Sequence, residues 1–347
     1  MTSWSLQPFQ KHDDINPCLD VNTQGRFFCP VRQTDVDWET KDVFNPAAVV
    51  KDDKVYLLYR AEDTIGRYAG TSRIGIAESD DGLTFTRHAT PVLYPDNDHM
   101  KQYEWEGGIE DPRVVEDENG KYYMTYTAYD GQTARLCVAT STDLYTWQKH
   151  GLAFGDDYVD MWCKSGSIVC RRDGNRLVAT RINGKYYMYF GESKIFLAHS
   201  DDLIRWTPVY YTTHRNDPRD YTTHFQTILG TRTNRFDSSL VEPGPPALLT
   251  NDGILLLYNG RNSAETGDPN LSEGTYAGGQ VLMDANDPTA VIARLTDNFI
   301  QPDKDYEITG QVNHVCFIEG LVYFKGRWLL YYGTADSKIA VASTTGQ

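Results

Sequence analysis

The stretch Lys185-Tyr186-Tyr187-Met188-Tyr189-Phe190 has four close echoes in the chain. They are Lys54-Val55-Tyr56-Leu57-Leu58-Tyr59-Arg60, Lys121-Tyr122-Tyr123-Met124-Thr125-Tyr126, Ile254-Leu255-Leu256-Leu257-Tyr258 and Arg327-Trp328-Leu329-Leu330-Tyr331-Tyr332. Measured between the last aromatics, Tyr59, Tyr126, Phe190, Tyr258 and Tyr332, the spacings are 67, 64, 68 and 74 residues, so five units fill a chain of 347. Each run is short, aromatic and bounded by turn residues, which is the pattern of a strand. Turns such as Lys51-Asp52-Asp53, Asp117-Glu118-Asn119-Gly120, Ile182-Asn183-Gly184 and Thr250-Asn251-Asp252-Gly253 precede four of them, as in hairpins. A third strand and an Asp-rich turn follow: Ser79-Asp80-Asp81-Gly82, Ser141-Thr142-Asp143-Leu144 and Ser200-Asp201-Asp202-Leu203 share one pattern. The expected fold is all-β: a five-bladed β-propeller of four-stranded antiparallel blades around a central channel. Residues 1–347 form one domain in this reading, with 1–40 as an N-terminal extension and closure segment. WD40 and kelch repeats are shorter, at about 40 to 50 residues, and a β-sandwich pair is the structural alternative.

Lys and Arg number 33 against 48 Asp and Glu, a net charge of −15. Acid spread along the chain repels phosphate backbones and anionic lipid heads, so neither nucleic acid nor a membrane is an expected partner. A neutral or cationic small molecule fits better. No run approaches the roughly 18 apolar residues of a membrane span, and the start, Met1-Thr2-Ser3-Trp4-Ser5, has no leader pattern. The chain reads as cytoplasmic, or periplasmic if a leader was removed. Cys18, Cys29, Cys137, Cys163, Cys170 and Cys316 lack a paired spacing and read as buried thiols.

In a propeller the innermost strand of each blade begins at one mouth of the channel, and the antiparallel second strand ends there. That geometry collects Asn45, Asp111, Glu242 and Asn313-His314 from inner-strand starts. From second-strand ends it collects Arg60, Asp130, Glu192, Asn259 with Arg261, and Asp336. Trp105, Tyr129 and Trp162 stand near enough in sequence to offer aromatic faces. Carboxylates, amides and arginines beside aromatics suit a carbohydrate, whose hydroxyls need donors and acceptors and whose C–H faces need apolar surface. Polar, water-filled channels are the bland alternative. Glycosidic cleavage needs two carboxyl groups, and the candidates by position are Asp111, Asp130, Glu192, Glu242 and Asp336.

The segment Trp105-Glu106-Gly107-Gly108-Ile109-Glu110-Asp111-Pro112-Arg113 resembles the signature of glycoside hydrolase family 130, five-bladed propellers acting on β-mannosides. The likeness extends to Phe44-Asn45-Pro46-Ala47-Ala48, Leu58-Tyr59-Arg60-Ala61-Glu62-Asp63, Pro243-Gly244-Pro245-Pro246 and Tyr332-Gly333-Thr334-Ala335-Asp336. The resemblance implies Asp111 as catalytic acid, its proton passing through a mannose hydroxyl. It implies Asn45, Arg60 and Asp336 as the −1 subsite and Arg113 as a group orienting the carboxylate.

Most members of that family are phosphorylases, which need a cationic pocket for phosphate. This chain departs from their pattern. It carries Gly191-Glu192 where His-Arg is usual, Tyr258-Asn259-Gly260 where Tyr-His-Gly is usual, and Glu242 before Pro-Gly-Pro-Pro. The change resembles the β-1,2-mannosidase branch. The expected activity is an inverting hydrolase of manno-oligosaccharides, with Asp111 as acid and Glu192 or Glu242 as base, about 6.5 to 9.5 Å away to leave room for water. A β-mannoside phosphorylase is the alternative, and Arg181 keeps it open by standing where a phosphate-binding Lys is common. No metal or organic cofactor is expected: the eight histidines are dispersed, and no Gly-rich loop links a strand to a helix. The Asp-rich turns read as solvated turns rather than Ca²⁺ loops. Loops 210–234 and 262–276 are expected to shape the +1 subsite and any contacts of a homo-oligomer.

Overall fold

The computed structural model describes residues 4–211 and 224–346. Within them the structure is almost entirely strand, with short helical turns at Lys101–Glu104, Asp156–Tyr158 and Asp305–Ile308. No helix among the described residues is long and apolar enough to cross a membrane.

Strand pairing divides the chain into five antiparallel units. The first is Asp42–Lys51, Lys54–Glu62, Ser72–Ser79 and Thr86–Arg87; the second is Gly108–Glu116, Tyr122–Tyr129, Ala134–Ser141 and Gln148–Leu152. The fourth begins with a strand interrupted at Gly244-Pro245-Pro246, as Leu240–Pro243 and Ala247–Leu249, and continues through Ile254–Arg261, Tyr276–Met283 and Val291–Arg294. In the fifth, Cys316–Phe324, Arg327–Thr334 and Lys338–Thr344 are completed by Gln10–Lys11, so the start of the chain supplies the last strand of the final unit.

The third unit departs from the expected pattern. Its first strand, Ser167–Asp173, pairs with Arg176–Ala179 through a turn at Gly174, and its first two residues pair with Tyr186–Phe190. An extra hairpin is thus inserted ahead of the aromatic run. Phe196–Ser200 and Thr207–Pro208 finish the unit.

Apolar residues of neighbouring units pack against each other. Val50, Leu57 and Tyr59 of the first meet Leu329, Tyr331 and Val341 of the fifth, while Leu58 and Ile76 meet Val114, Met124 and Tyr126 of the second. The structure explains the recurring final aromatic. Tyr59 donates to Glu39 at 3.0 Å, Tyr126 to Glu104 at 3.0 Å, Tyr258 to Asp237 at 2.8 Å and Tyr332 to Glu307 at 2.8 Å. Each of these acids is wholly buried and takes a cation from the fourth strand of its unit: Arg87, Lys149, Arg294 and Lys11 respectively. A buried carboxylate needs such pairing. The exception is the third unit, where Phe190 has no hydroxyl and packs instead among Phe154, Phe196 and Phe225.

The Asp-rich turns are hydrogen-bonded turns. In each, one carboxylate oxygen of Asp81, Asp143 or Asp202 accepts two main-chain N–H groups, while Ser79, Ser141 or Ser200 accepts from the turn.

Candidate functional site

Three first strands carry a bulge at one level. The ladder slips between Phe44 and Pro46, between Glu110 and Arg113, and between Ile318 and Gly320. A bulge leaves its extra residue outside the ladder and re-aims the side chain. Asn45 and Asp111, at φ 46° and 49°, occupy the left-handed region where Asn and Asp are the tolerated non-glycine residues. The two meet: Asn45 Nδ2 donates to Asp111 Oδ1 at 3.0 Å. Gly333 permits this approach, because a Cβ there would lie 2.2 Å from Asn45 Oδ1.

Arg60, from the end of a second strand, lies against the same carboxylate oxygen at 3.3 Å and also pairs with Glu62 at 2.6 Å and Glu110 at 3.1 Å. Burial would raise the Asp111 carboxyl, but Arg60 first, then Lys164 and the Asn45 amide, hold it below its ordinary value. At Glu110 burial wins over Arg60 and pushes the carboxyl to about 7. Asp336, facing Arg60 and Asp111, is pushed by burial to about 7 as well. Asn45, Arg60, Asp111 and Asp336 thus form one group with Glu110.

Glu242 belongs beside it. The side chain is buried, accepts a hydrogen bond from Ser165, and is raised by burial to about 7 against the pull of Lys164. Glu192 sits nearer the rim, accepting from Trp162 Nε1 and lying 3.9 Å from Lys164. Lys164 is held protonated by Glu242, Glu192, Asp111 and Glu110 against the opposing effect of burial. Sequence reasoning missed Lys164 and reached Tyr276 only as the end of the 262–276 loop; the Tyr276 hydroxyl is raised by burial and by Glu242. Lys164 precedes a first strand whose beginning the third unit's inserted hairpin disguises, and Tyr276 opens a third strand, an end that the strand-end argument did not use.

Other expected site residues are committed elsewhere. Arg113 does not reach the Asp111 carboxylate; it donates to the main-chain carbonyls of Asp111 at 3.1 Å, Pro243 at 2.9 Å and Gly244 at 2.7 Å. It therefore ties the strand of Asp111 to that of Glu242. Asn259 is also a clasp: its amide donates to the Ile318 carbonyl at 3.0 Å and accepts from the Ile318 N–H at 2.8 Å. Asp130 shapes its own turn, accepting from the main chain of Gln132 and Thr133 and from Arg135. Arg181 donates to the carbonyls of Gly184 and Asp201 and stacks on Tyr186, at the turn Ile182–Lys185 that follows the inserted hairpin. His314 places its main chain between Ile308 and Tyr276 at the approach to the fifth unit. Trp105 faces Arg32 at 4.8 Å and packs on the core, whereas Tyr129 and Trp162 are neighbours at 6.2 Å. Of the loop 210–234, residues 212–223 lie outside the described residues.

The family model described as β-1,4-mannooligosaccharide phosphorylase, that of glycoside hydrolase family 130, matches residues 28–347. The chain belongs to this family. Among curated relatives, a 1,2-β-oligomannan phosphorylase of Thermoanaerobacter sp. (strain X514) is 32% identical over 88% of this chain and 90% of its own length. A solved glycosyl hydrolase from Bacteroides ovatus superposes with a TM-score of 0.92 at 43% identity, covering 99% of this chain and 95% of its own. A further family 130 structure, with a TM-score of 0.94 and 44% identity over 99% of this chain and 95% of its own, comes from work describing glycoside hydrolases of the family that target β-1,2 mannosidic linkages in Candida mannan.

Proposed function

We propose that this family 130 chain is an exo-acting β-1,2-mannosidase that cleaves manno-oligosaccharides with inversion. The five antiparallel units are then blades of a propeller, their first strands lining a channel whose mouth is the active site. Asn45, Arg60 and Asp336 hold the terminal mannose. Asp111 protonates the glycosidic oxygen through a mannose hydroxyl, and Glu242 takes a proton from the attacking water, with Glu192 as the other candidate base. Arg60 keeps the Asp111 carboxyl low, so the proton it delivers must come from Glu110 or Asp336, both raised to about 7, relayed to it through the hydroxyls of the bound sugar.

One observation supports the choice of water over phosphate: Arg60 and Arg113 are bonded to acid or to main chain and Lys164 stands among carboxylates, which leaves Arg261, over the Tyr276 ring at 6.0 Å, as the cation set apart from them. Arg60 faces Glu62, Glu110 and Asp111, Arg113 is spent on carbonyls, and Lys164 stands among four carboxylates. A dianion would have to displace these partners beside Glu192 and Glu242, against Coulomb repulsion. The likeness to structures described as hydrolases points the same way. The phosphorylase reading keeps support from the family model's description and from the phosphorylases among the relatives.

The test is incubation with β-1,2-mannobiose with and without inorganic phosphate. Mannose is expected in both. Mannose 1-phosphate formed only in the presence of phosphate would overturn the hydrolase reading in favour of the phosphorylase.

A further inference from the structure

Three aromatic side chains, Tyr68, Tyr129 and Trp162, stand beside the carboxylates without being acid or base themselves. Tyr68 and Tyr129 have ring centroids 6.4 Å apart at 42°, and Tyr129 and Trp162 lie 6.2 Å apart at 72°. Tyr68 comes from the connection between Lys54–Glu62 and Ser72–Ser79, Tyr129 ends the strand Tyr122–Tyr129, and Trp162 lies between the second and third units. None belongs to the hydrophobic core, and Trp162 is 41% exposed.

Glycines hold this row in place. A Cβ on Gly131, whose φ is 96°, would fall 2.0 Å from the Tyr68 ring, and one on Gly107 would fall 2.4 Å from Tyr129. Both rings therefore lie directly on main chain, with little room to shift. The row is also tied to the reaction centre at both ends of the chemistry. Tyr129 stands opposite Gly108 in the ladder, three residues before Asp111 and hence roughly 10 Å along the strand. Trp162 donates to Glu192.

Because successive rings are turned by 42° and 72°, the row is a curved wall, not a flat shelf. Pyranose rings offer apolar C–H faces to aromatic surface. In a 1,2-linked chain the two bridging bonds leave adjacent ring carbons, so the chain turns at every residue; in a 1,4-linked chain they leave across the ring and the chain extends. We infer that Tyr68, Tyr129 and Trp162 form the acceptor side of the site and bind the second and later sugars of a β-1,2-linked manno-oligosaccharide, giving preference for three or four residues over two. This rests on the mannosidase reading.

The experiment compares kcat/KM for β-1,2-linked di-, tri- and tetrasaccharides in the wild type, Tyr68→Ala and Gly131→Ala, the last displacing the Tyr68 ring without removing it. The wild type is expected to favour the tetrasaccharide over the disaccharide by tenfold or more, and both variants should reduce that ratio at least fivefold through KM. Equal use of all three lengths, or an unchanged ratio in both variants, would overturn the wall. If no mannoside is cleaved with or without phosphate, the functional reading falls by itself. The wall is then decided by titrating tryptophan fluorescence of the wild type and Tyr68→Ala with the tetrasaccharide, where equal affinity overturns it.

Discussion

Arg113 and Glu319 lie 3.6 Å apart, both fully buried, and no hydrogen bond joins them. All three nitrogens of Arg113 are directed at carbonyls, and burial raises the Glu319 carboxyl well above its ordinary range against the pull of Arg113. Burial thus favours the neutral form of Glu319, which stands at the bulge of the fifth unit that matches Asn45 and Asp111 in the first and second. Glu319→Gln keeps shape and charge, so urea unfolding should show a change of less than about 1 kcal/mol. A loss of about 3–5 kcal/mol, as when an ion pair is broken, would mean that Glu319 is ionised.

Arg113→Met removes the donors that bind the strand of Asp111 to that of Glu242. Three buried carbonyls lose their partner at about 1–3 kcal/mol each, so a substantial fall in stability is expected. Turnover should fall further than in Glu319→Gln, because Asp111 and Glu242, the proposed acid and base, lose their fixed spacing. Full activity in a folded variant would contradict that positioning role.

Protonation of Glu242 sets the sign of two pH effects. Its carboxyl is raised from 4.5 to about 7, so between those values the folded protein binds a proton that the unfolded chain has released. Stability from this group is present at low pH and lost as pH rises through about 7, by up to about 1.4 kcal/mol per pH unit. Glu242→Gln should flatten the fall of thermal midpoint between pH 5 and 8. As the base, Glu242 must be ionised, so hydrolysis should rise across the same window and vanish in Glu242→Gln, with azide or formate restoring part of it. Unchanged activity would move the role to Glu192.

Lys164 holds Glu242 down against burial. In Lys164→Met the carboxyl should climb further, and the acidic limb of the kcat/KM profile should move to higher pH, with rate recovered above neutrality. A uniform loss at every pH would mean that Lys164 acts by contact with substrate instead.

The buried tyrosines give a test of the repeat itself. Tyr126→Phe removes a hydroxyl from Glu104 and should cost about 1–2 kcal/mol. Phe190→Tyr places a hydroxyl among Phe154, Phe196 and Phe225 and should also destabilise the protein, by about 1–3 kcal/mol. A stabilising Phe190→Tyr would show that the third unit holds an unused acceptor.

The sequence by itself determined the five-unit plan. The run ending at Tyr59, Tyr126, Phe190, Tyr258 or Tyr332 recurs because each unit needs a second strand apolar on both faces between neighbours, and such periodicity is local and readable. It also exposed Asn45, Asp111, Glu242 and Asp336, which sit at strand ends or bulges marked by Pro or Gly. Tertiary structure alone decided what their neighbours do. Arg113, Asn259, Asp130 and Arg181 are polar residues at plausible positions, yet their hydrogen bonds go to main chain or to a turn, and no pattern along the chain says which carbonyl lies within 3 Å. Lys164 and Glu319 reach the centre from segments whose register an inserted hairpin and a bulge displaced. The same applies to the excess of acid: Glu39, Glu104, Asp237 and Glu307 are buried and neutralised by Arg87, Lys149, Arg294 and Lys11, pairings across 45 or more residues that only folding brings together.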